Sequence, residues 1–530
     1  MKFTRRQAMG TMAGGVLAGL ASEWRLPRAF GQATPAGGLF QPTWASLENN
    51  YKLPDWYRDA KFGIWAHWGP QCQPADGDWY AQRMYMQGQA QNAYHVKTYG
   101  PPSKFGFKDV INTWKAEKWD PQAQIQRFKA AGAKFFVTMA NHHDNFDNFD
   151  SKYQPWNSVN MGPKKDIVGT WAKLAREAGL KLGVSIHAAR AWNWYEAAQG
   201  SDKTGPLAGV PYDGKLTKAD GKGTWWEGYD PQDLYAQNHA LGAEPDAAYI
   251  VKFVNRTKDL MDKYHPDLVF FDDTKLPLAS AGLDIAAYYY NNNPQWNAGK
   301  LSSVIICNGL TVEEQRGVVN HLERVYSTDM LRIPWSKGNV IGPWHYAIAD
   351  YNKGYLKPAA VINHLVDVVS KNGTLLLAIP QPGDGSLDDK ASAFLDEMAK
   401  WMAVNSECIY DTRPWGIYGE GPAVKNDATA KESAVNPPRG VPAYTAAEVR
   451  FTTKGSVLYA VGLGTPPGGK ITIKALAANA PLYKGEIGNI QQLGGPAKLD
   501  FTRDGTALVV TVPPKAGDTY AVALKISPKA

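Results

Sequence analysis

The sequence predicts an α/β protein: a (β/α)8-like TIM barrel followed by a C-terminal antiparallel β-sandwich. Three observations predict it. Amphipathic helices alternate with apolar runs of strand length over roughly 350 residues, a rhythm that builds a parallel sheet and at this span favours a closed barrel. Pro and Gly then cluster between Pro437 and Pro442, and short strand-like runs separated by turns follow. Finally, the buried-looking run His265-Pro266-Asp267-Leu268-Val269-Phe270-Phe271 ends on Asp272 and Asp273, as a barrel strand does when it reaches the active-site mouth.

Residues 61–68 read as the first strand. Residues 120–132 read as a helix leading into strand 133–140, and residues 166–179 as a second helix leading into strand 180–187. After a long insertion, helix 247–264 leads into strand 268–272, and helix 285–291 into strand 304–308. Helix 358–371 leads into strand 374–379, and helix 391–405 closes the set. Beyond residue 411, strands are expected at 448–452, 457–462, 470–475, 508–512 and 519–524. The division is then residues 1–31 as a leader, 32–410 as the barrel and 411–530 as the sandwich.

The leader reading rests on Thr4-Arg5-Arg6-Gln7-Ala8-Met9-Gly10 before a mildly apolar Gly/Ala-rich segment, the layout of a twin-arginine export signal, with cleavage expected after Gly31. A periplasmic or secreted location follows. The net charge of +7 falls to +3 without those 31 residues, which carry five basic groups against Glu23. So slight an excess gives no indication of a nucleic-acid partner. Past the leader no window approaches the roughly 18 apolar residues a membrane span needs. Cys72, Cys307 and Cys408 are too few and too scattered for a disulfide framework or a zinc pattern, and Cys72 reads as a packed small residue. Aromatic residues are 12% of the chain, with 19 Trp, which suits a flat-faced ligand such as a sugar as well as a large core.

Polar groups gather at the strand ends. The first strand finishes in Ala66-His67-Trp68-Gly69, the second runs into Asn141-His142-His143-Asp144, the third ends at His187 and the fourth at Asp272. Asp272 or Asp273 alone would also suit a helix cap. Together with the histidines, Asp272 suits glycoside hydrolysis: a carboxylate nucleophile, a second carboxyl about 5 Å away, and polar and aromatic groups to grip a sugar. A metal hydrolase is the rival chemistry, but such barrels usually open with a His-x-His pair and here only His67 is present. His142 and His143 would also point to opposite faces of an extended strand. No metal and no cofactor are therefore expected.

The run Lys61-Phe62-Gly63-Ile64-Trp65-Ala66-His67-Trp68-Gly69, followed by Gly77-Asp78-Trp79-Tyr80, resembles the first-strand signature of family 29 glycoside hydrolases, the α-L-fucosidases. Asn141-His142-His143-Asp144-Asn145-Phe146, Gly162-Pro163-Lys164-Lys165-Asp166-Ile167-Val168 and His364-Leu365-Val366-Asp367 through Lys371-Asn372-Gly373 are similar too. The resemblance extends over about residues 45–425. It implies a retaining glycosidase acting on fucosylated glycans, with Asp272 as nucleophile. It implies that His67, Asp78, Trp79, His142, His143, His187 and Trp344 bind the sugar. The chain departs from the family pattern at several of these places. Asp78 stands for Glu, Asp273 for the Gly after the nucleophile, Asn141 and Asn145 for Lys and Gly, and Ser185 and His187 for an aromatic pair. The acid/base is sought among Glu313, Glu314 and Glu323, and Glu323 is chosen because the following segment leads to Pro334-Trp335 and Trp344-His345-Tyr346. A related sugar, or non-catalytic glycan binding, are the alternatives. The insertion 197–244, with Trp225 and Trp226 adjacent, is expected to wall the leaving-group side of the cleft. Linkage preference and oligomeric state are not encoded in these motifs.

Overall fold

The computed structural model describes residues 38–323, 325–422, 424, 444–513 and 520–529, so the expected leader lies outside the described residues. Eight parallel strands close into a barrel in sequence order: β1 (Phe62–Ala66), β2 (Phe135–Asn141), β3 (Lys181–Ile186), β4 (Leu268–Thr274), β5 (Val304–Asn308), β6 (Val319–Glu323), β7 (Trp335–Val340) and β8 (Gly373–Ala378). Pairing of β8 with β1, Phe62 opposite Leu375 and Trp65 opposite Ala378, completes the ring. Alternation along each strand sorts the side chains. Trp65, Phe135, Val137, Phe270 and Ile306 pack together inside the barrel, whereas Ile64, Phe136, Phe271 and Ile305 belong to the core beneath the helices.

The main helices are α1 (Pro121–Ala130), α2 (Ile167–Glu177), α3 (Ala247–Tyr264), α4 (Ser280–Trp296), α5 (Pro358–Ser370) and α6 (Asp389–Asn405). Asp120, Asp166, Asp246 and Asp388 cap α1, α2, α3 and α6, each accepting a backbone N–H from the first turn, which is worth about 1 kcal/mol apiece. Neither Asp272 nor Asp273 is a cap, because both belong to β4 and α4 starts only after Ala279.

Two strands escape the sequence reading, and the reason is physical. β6 follows β5 through a single 3-10 turn (Glu314–Arg316) rather than a helix, so the helix-then-strand rhythm breaks. β7 reads Trp-Ser-Lys-Gly-Asn-Val, with no apolar alternation. Its polar members are paid by neighbours: buried Lys337 donates to Leu322 O at 3.2 Å and to Gly338 O, and Ser336 Oγ meets His321 Nδ1 at 3.0 Å.

The C-terminal region forms two antiparallel sheets. β9 (Arg413–Glu420), β10 (Val449–Lys454), β11 (Val457–Gly462), β13 (Ile487–Gln492) and β16 (Val522–Pro528) make one, in the order β13-β16-β11-β10-β9. β12 (Lys470–Ile473), β14 (Phe501–Arg503) and β15 (Leu508–Thr511) make the other. Phe451, Leu458, Ile471, Leu508 and Leu524 share their core. A buried ion cluster ties this region to α5. Arg450 donates to Asp367 (2.6 Å) and Glu448 (2.7 Å), while Lys371 donates to Asp367 at 2.8 Å. Burial alone would raise the Asp367 pKa, but Lys371 and Arg450 hold it well below the ordinary carboxylate range. Its contribution to stability is thus present above the unfolded-state pKa and lost on acidification through the depressed folded value. Arg450→Met should destabilise the fold by about 3–5 kcal/mol, because Glu448 loses its cation and Asp367 one of two. Chemical denaturation at neutral pH checks this, and an unchanged midpoint would mean that the cluster is neutral to stability.

Candidate active site

A cavity of about 870 Å³ opens at the C-terminal ends of the strands. All nine residues singled out from the sequence line it: Asp272, Glu323, His67, Asp78, Trp79, His142, His143, His187 and Trp344. Glu323 ends β6 and faces the same cavity as Asp272. Glu314 instead sits outside the cavity lining, accepting from Lys275 Nζ and Thr311 N, and Glu313 is at the surface.

Alternation along β4 separates the two aspartates. Asp272 lines the cavity, whereas Asp273 turns away and receives Arg190 Nε at 3.0 Å. Asp272 Oδ2 lies 3.2 Å from His187 Nδ1 and 3.5 Å from His143 Nε2. Burial works to raise the Asp272 pKa, yet the hydrogen bonds from His143 and His187 hold it well below the ordinary value. Burial raises Asp273 to about 6, with Arg190 opposing.

The histidines come together because β2 ends at Asn141. His142 and His143 then lie on a loop rather than a strand, so the expected opposition of their faces does not occur, and both turn into the cavity. Asn141 Oδ1 accepts His187 N and Ala188 N, joining this loop to the end of β3, and Asn141 Nδ2 donates to Asp147. Asn145, in the left-handed region at φ 63°, donates to Asp233 O and Leu234 O and accepts Arg256 Nη1. Arg256 also grips Asp147 through two nitrogens, both residues being buried. The Asn residues that replace the family's Lys and Gly therefore build a local scaffold of their own.

Sequence reasoning missed His345, His321, Arg83 and Arg190 in the lining. The His345 ring centroid lies 4.7 Å from that of His67 and 4.6 Å from that of His142, and the His345 backbone N–H donates to Asp78 Oδ1 at 2.7 Å. His321 fits because Gly338 faces it: a Cβ there would stand 2.4 Å from His321 Nε2. Arg83 stacks on Trp79, whose ring is 43% exposed and whose backbone is left-handed at φ 66°. Arg83, Arg190 and His321 stood in no motif, and His345 stood in one without being singled out, since each is defined by a fold-level neighbour.

Burial, followed by the neighbouring imidazoles, drives His67 and His142 well below their ordinary pKa, so both are neutral at neutral pH. His67 has no hydrogen-bond partner on either ring nitrogen among the described residues. Two triplets, His67/His142/His345 and His142/His143/His187, bring nitrogens within 4.8 Å of one another, close enough to suggest a metal. The hydrogen bonding argues otherwise. Gln71 Nε2 donates to Asp144 Oδ2 (3.0 Å) and to His142 Nδ1 (2.9 Å), so the remaining proton of neutral His142 sits on Nε2 and blocks ligation there. The set offers hydrogen bonds to hydroxyl groups instead.

The insertion does not wall the cleft. Trp226 is buried under Lys108, Trp225 donates to Asp109 Oδ1 at 2.8 Å, and neither lines the cavity. Asp213 pins the segment by accepting Tyr85 and Tyr235 hydroxyls at 2.6 and 2.7 Å. Cys72, Cys307 and Cys408 are buried free thiols, and burial pushes Cys72 up to about 12.

An open polar cavity at the C-terminal mouth of a closed parallel barrel places the protein among the (β/α)8 enzymes, whose strand ends carry the chemistry. The family model described as Alpha-L-fucosidase matches residues 30–407, and the chain belongs to this family of glycoside hydrolases. It is similar to tissue alpha-L-fucosidase of Rattus norvegicus, 25% identical over 525 residues that span 95% of this chain and 97% of the relative. The alpha-L-fucosidase of Branchiostoma floridae is 26% identical, over 89% of this chain and 92% of that one. Among solved structures, Thermotoga maritima alpha-fucosidase in complex with fucose is 27% identical with a TM-score of 0.66, covering 92% of this chain and 100% of that chain.

Replacing Arg256 with Met should speed hydrogen exchange across residues 142–148 and cost about 3–5 kcal/mol of stability. Unchanged exchange in that loop would show that it holds its shape without the Arg256–Asp147 pair.

Proposed function

We propose that the protein is a retaining α-L-fucosidase that releases terminal α-linked L-fucose from glycans, with Asp272 as nucleophile and Glu323 as acid/base. The observation that carries this reading is Asp272: a carboxylate in a water-accessible cavity, held ionised by two histidines, with a second carboxylate, Glu323, in the same lining. Support for fucose as the sugar comes from the Thermotoga maritima relative, solved in complex with fucose.

Both His contacts fall on Asp272 Oδ2, which leaves Oδ1 to attack the anomeric carbon. The bond from that carbon to the leaving oxygen breaks as Glu323 passes its proton to the oxygen. A glycosyl ester on Asp272 results. Glu323, now a carboxylate, takes a proton from water, and the water oxygen attacks the anomeric carbon on the face the leaving group vacated. The ester bond breaks, Asp272 is released as a carboxylate, and two inversions give net retention. His67, His142, His143, His187, Asp78, Trp79 and Trp344 are assigned to the sugar, with the neutral imidazoles of His67 and His142 meeting hydroxyls as donors or acceptors without a charge to desolvate.

Asp272→Asn should lower kcat on an aryl α-L-fucoside by ~10³-fold or more. Glu323→Gln should spare activated aryl fucosides far more than fucosylated oligosaccharides, whose poor leaving groups need the proton. Proton NMR of the first product should show the α-anomer. Full activity of Asp272→Asn, or a β-anomer formed first, would remove the reading. Export is proposed as well, supported by the Arg5-Arg6 segment. N-terminal sequencing of the processed protein should begin at Gln32, and an intact Met1 on exported protein would contradict it.

A further inference from the structure

Ser185 and His187 occupy the places where the family's aromatic pair would stand, and the sugar-binding role assigned to His187 does not account for Ser185 behind it. They form a directed chain of donors. Trp65 Nε1 lies 3.2 Å from Ser185 Oγ, Ser185 Oγ lies 3.2 Å from His187 Nε2, and His187 Nδ1 lies 3.2 Å from Asp272 Oδ2. An indole N–H only donates, so Ser185 Oγ accepts from Trp65 and its own proton is free to point at the imidazole. An ionised carboxylate only accepts, so His187 carries its proton on Nδ1. Ser185 is fully buried and His187 is 1% exposed, so solvent cannot substitute for a missing partner.

We propose that Ser185 and His187 are positioning residues for Asp272: Trp65 sets the direction of the Ser185 hydroxyl, the hydroxyl donates to His187 Nε2 and holds the ring in the Nδ1–H tautomer that Asp272 requires, and Nδ1–H fixes Oδ2 so that Oδ1 faces the sugar. The inference deepens the proposed function and rests on its reading of Asp272. Burial lowers the His187 pKa against the pull of Asp272, consistent with a neutral ring whose single proton must be placed on one nitrogen. Besides His187, the titratable and charged groups around Asp272 are His67 after β1, His143 after β2, Arg190 after β3, Asp273 next to it on β4, and His321 and Glu323 on β6. His187 meets Asp272 through one ring nitrogen and a side-chain hydroxyl through the other, whereas His321 meets Ser336 Oγ through Nδ1 and acts on Asp272 only at a distance.

The test is the acid limb of kcat/KM on an aryl α-L-fucoside, which reports ionisation of the nucleophile in free enzyme. With Ser185→Ala the ring loses its donor at Nε2 and is held less firmly, the donation to Oδ2 weakens, and the limb should move up by about one pH unit. His187→Asn keeps a donor, Asn Nδ2, at the place of Nδ1 without needing Ser185, so its limb should stay near the wild-type position. Adding Ser185→Ala to His187→Asn should then shift nothing further. A Ser185→Ala shift of equal size in both backgrounds, or no shift in either, would overturn the proposal. Selective ¹⁵N-histidine NMR of the unmodified protein supplies a readout that no folding defect can confuse: the Nδ1–H tautomer is expected for His187, and Nε2–H would sink the idea. Should Asp272→Asn turn over normally, the nucleophile reading fails while the NMR still judges the chain of donors. If instead Asp272→Asn is inactive and the tautomer is wrong, only the positioning proposal fails.

Discussion

Closure of the parallel barrel is the constraint on which everything else rests. Once β8 pairs with β1, every strand must alternate between an interior that is packed solid and an exterior covered by helices. Charged side chains gather at its upper end, where the cavity begins, and the polar ones lower down, such as Ser336, are buried and hydrogen-bonded. Along β4 the consequence is explicit: Leu268 and Phe270 fill the interior, Val269 and Phe271 pack under the helices, and the next inward position is Asp272. A register slip of one residue would exchange the roles of Asp272 and Asp273. Chemistry at this rim is thus fixed by packing several residues below it.

The loops above the rim need a different kind of support. They are too polar to be held by apolar burial, and the structure holds them with buried charges and amides. Arg256, on α3, spans to Asp147 and Asn145 on the loop that carries the paired histidines, and Asn141 joins that loop to the end of β3. Burying such a pair gains little net stability over an apolar replacement, because desolvation offsets most of the attraction. What it does provide is geometry, since a bidentate guanidinium accepts one arrangement of its carboxylate. The same logic applies at the joint between α5 and the sandwich, where Arg450 holds Asp367 and Glu448 at once.

What was legible in the sequence follows this division. Strands with apolar alternation and helices with an Asp cap were readable from local pattern, and His67, His142 and Asp272 were readable because they terminate such strands. β7 was not, because Lys337 and Ser336 are satisfied by Leu322 O, Gly338 O and His321, partners that only the closed barrel brings near. His321 and Arg190 were invisible for the same reason. Trp225 and Trp226 misled, since adjacent indoles in a long polar insertion look like a ligand wall, while Lys108 and Asp109 on a neighbouring helix capture both. Local pattern reports which element a residue belongs to, and not which distant group will claim its side chain.

The electrostatic character of the cavity comes from how burial acts on acids and bases in opposite senses. Removing water disfavours the charged form of each, so imidazoles lose their protons and carboxylates tend to gain them. His67 and His142 follow that rule and become neutral. Asp273 and Asp144 follow it too, each rising to about 6. Asp272 is the exception in its own neighbourhood, pulled down where Asp273 beside it is pushed up. The difference is not depth but donors, since His143 and His187 converge on one oxygen of Asp272 whereas Asp273 Oδ2 has no partner among the described residues. Two donors converging on one oxygen keep the carboxylate ionised and oriented, with the other oxygen left toward the cavity. Arg190 is tethered one position further along the strand, on Asp273, where its charge acts on Asp272 from a distance.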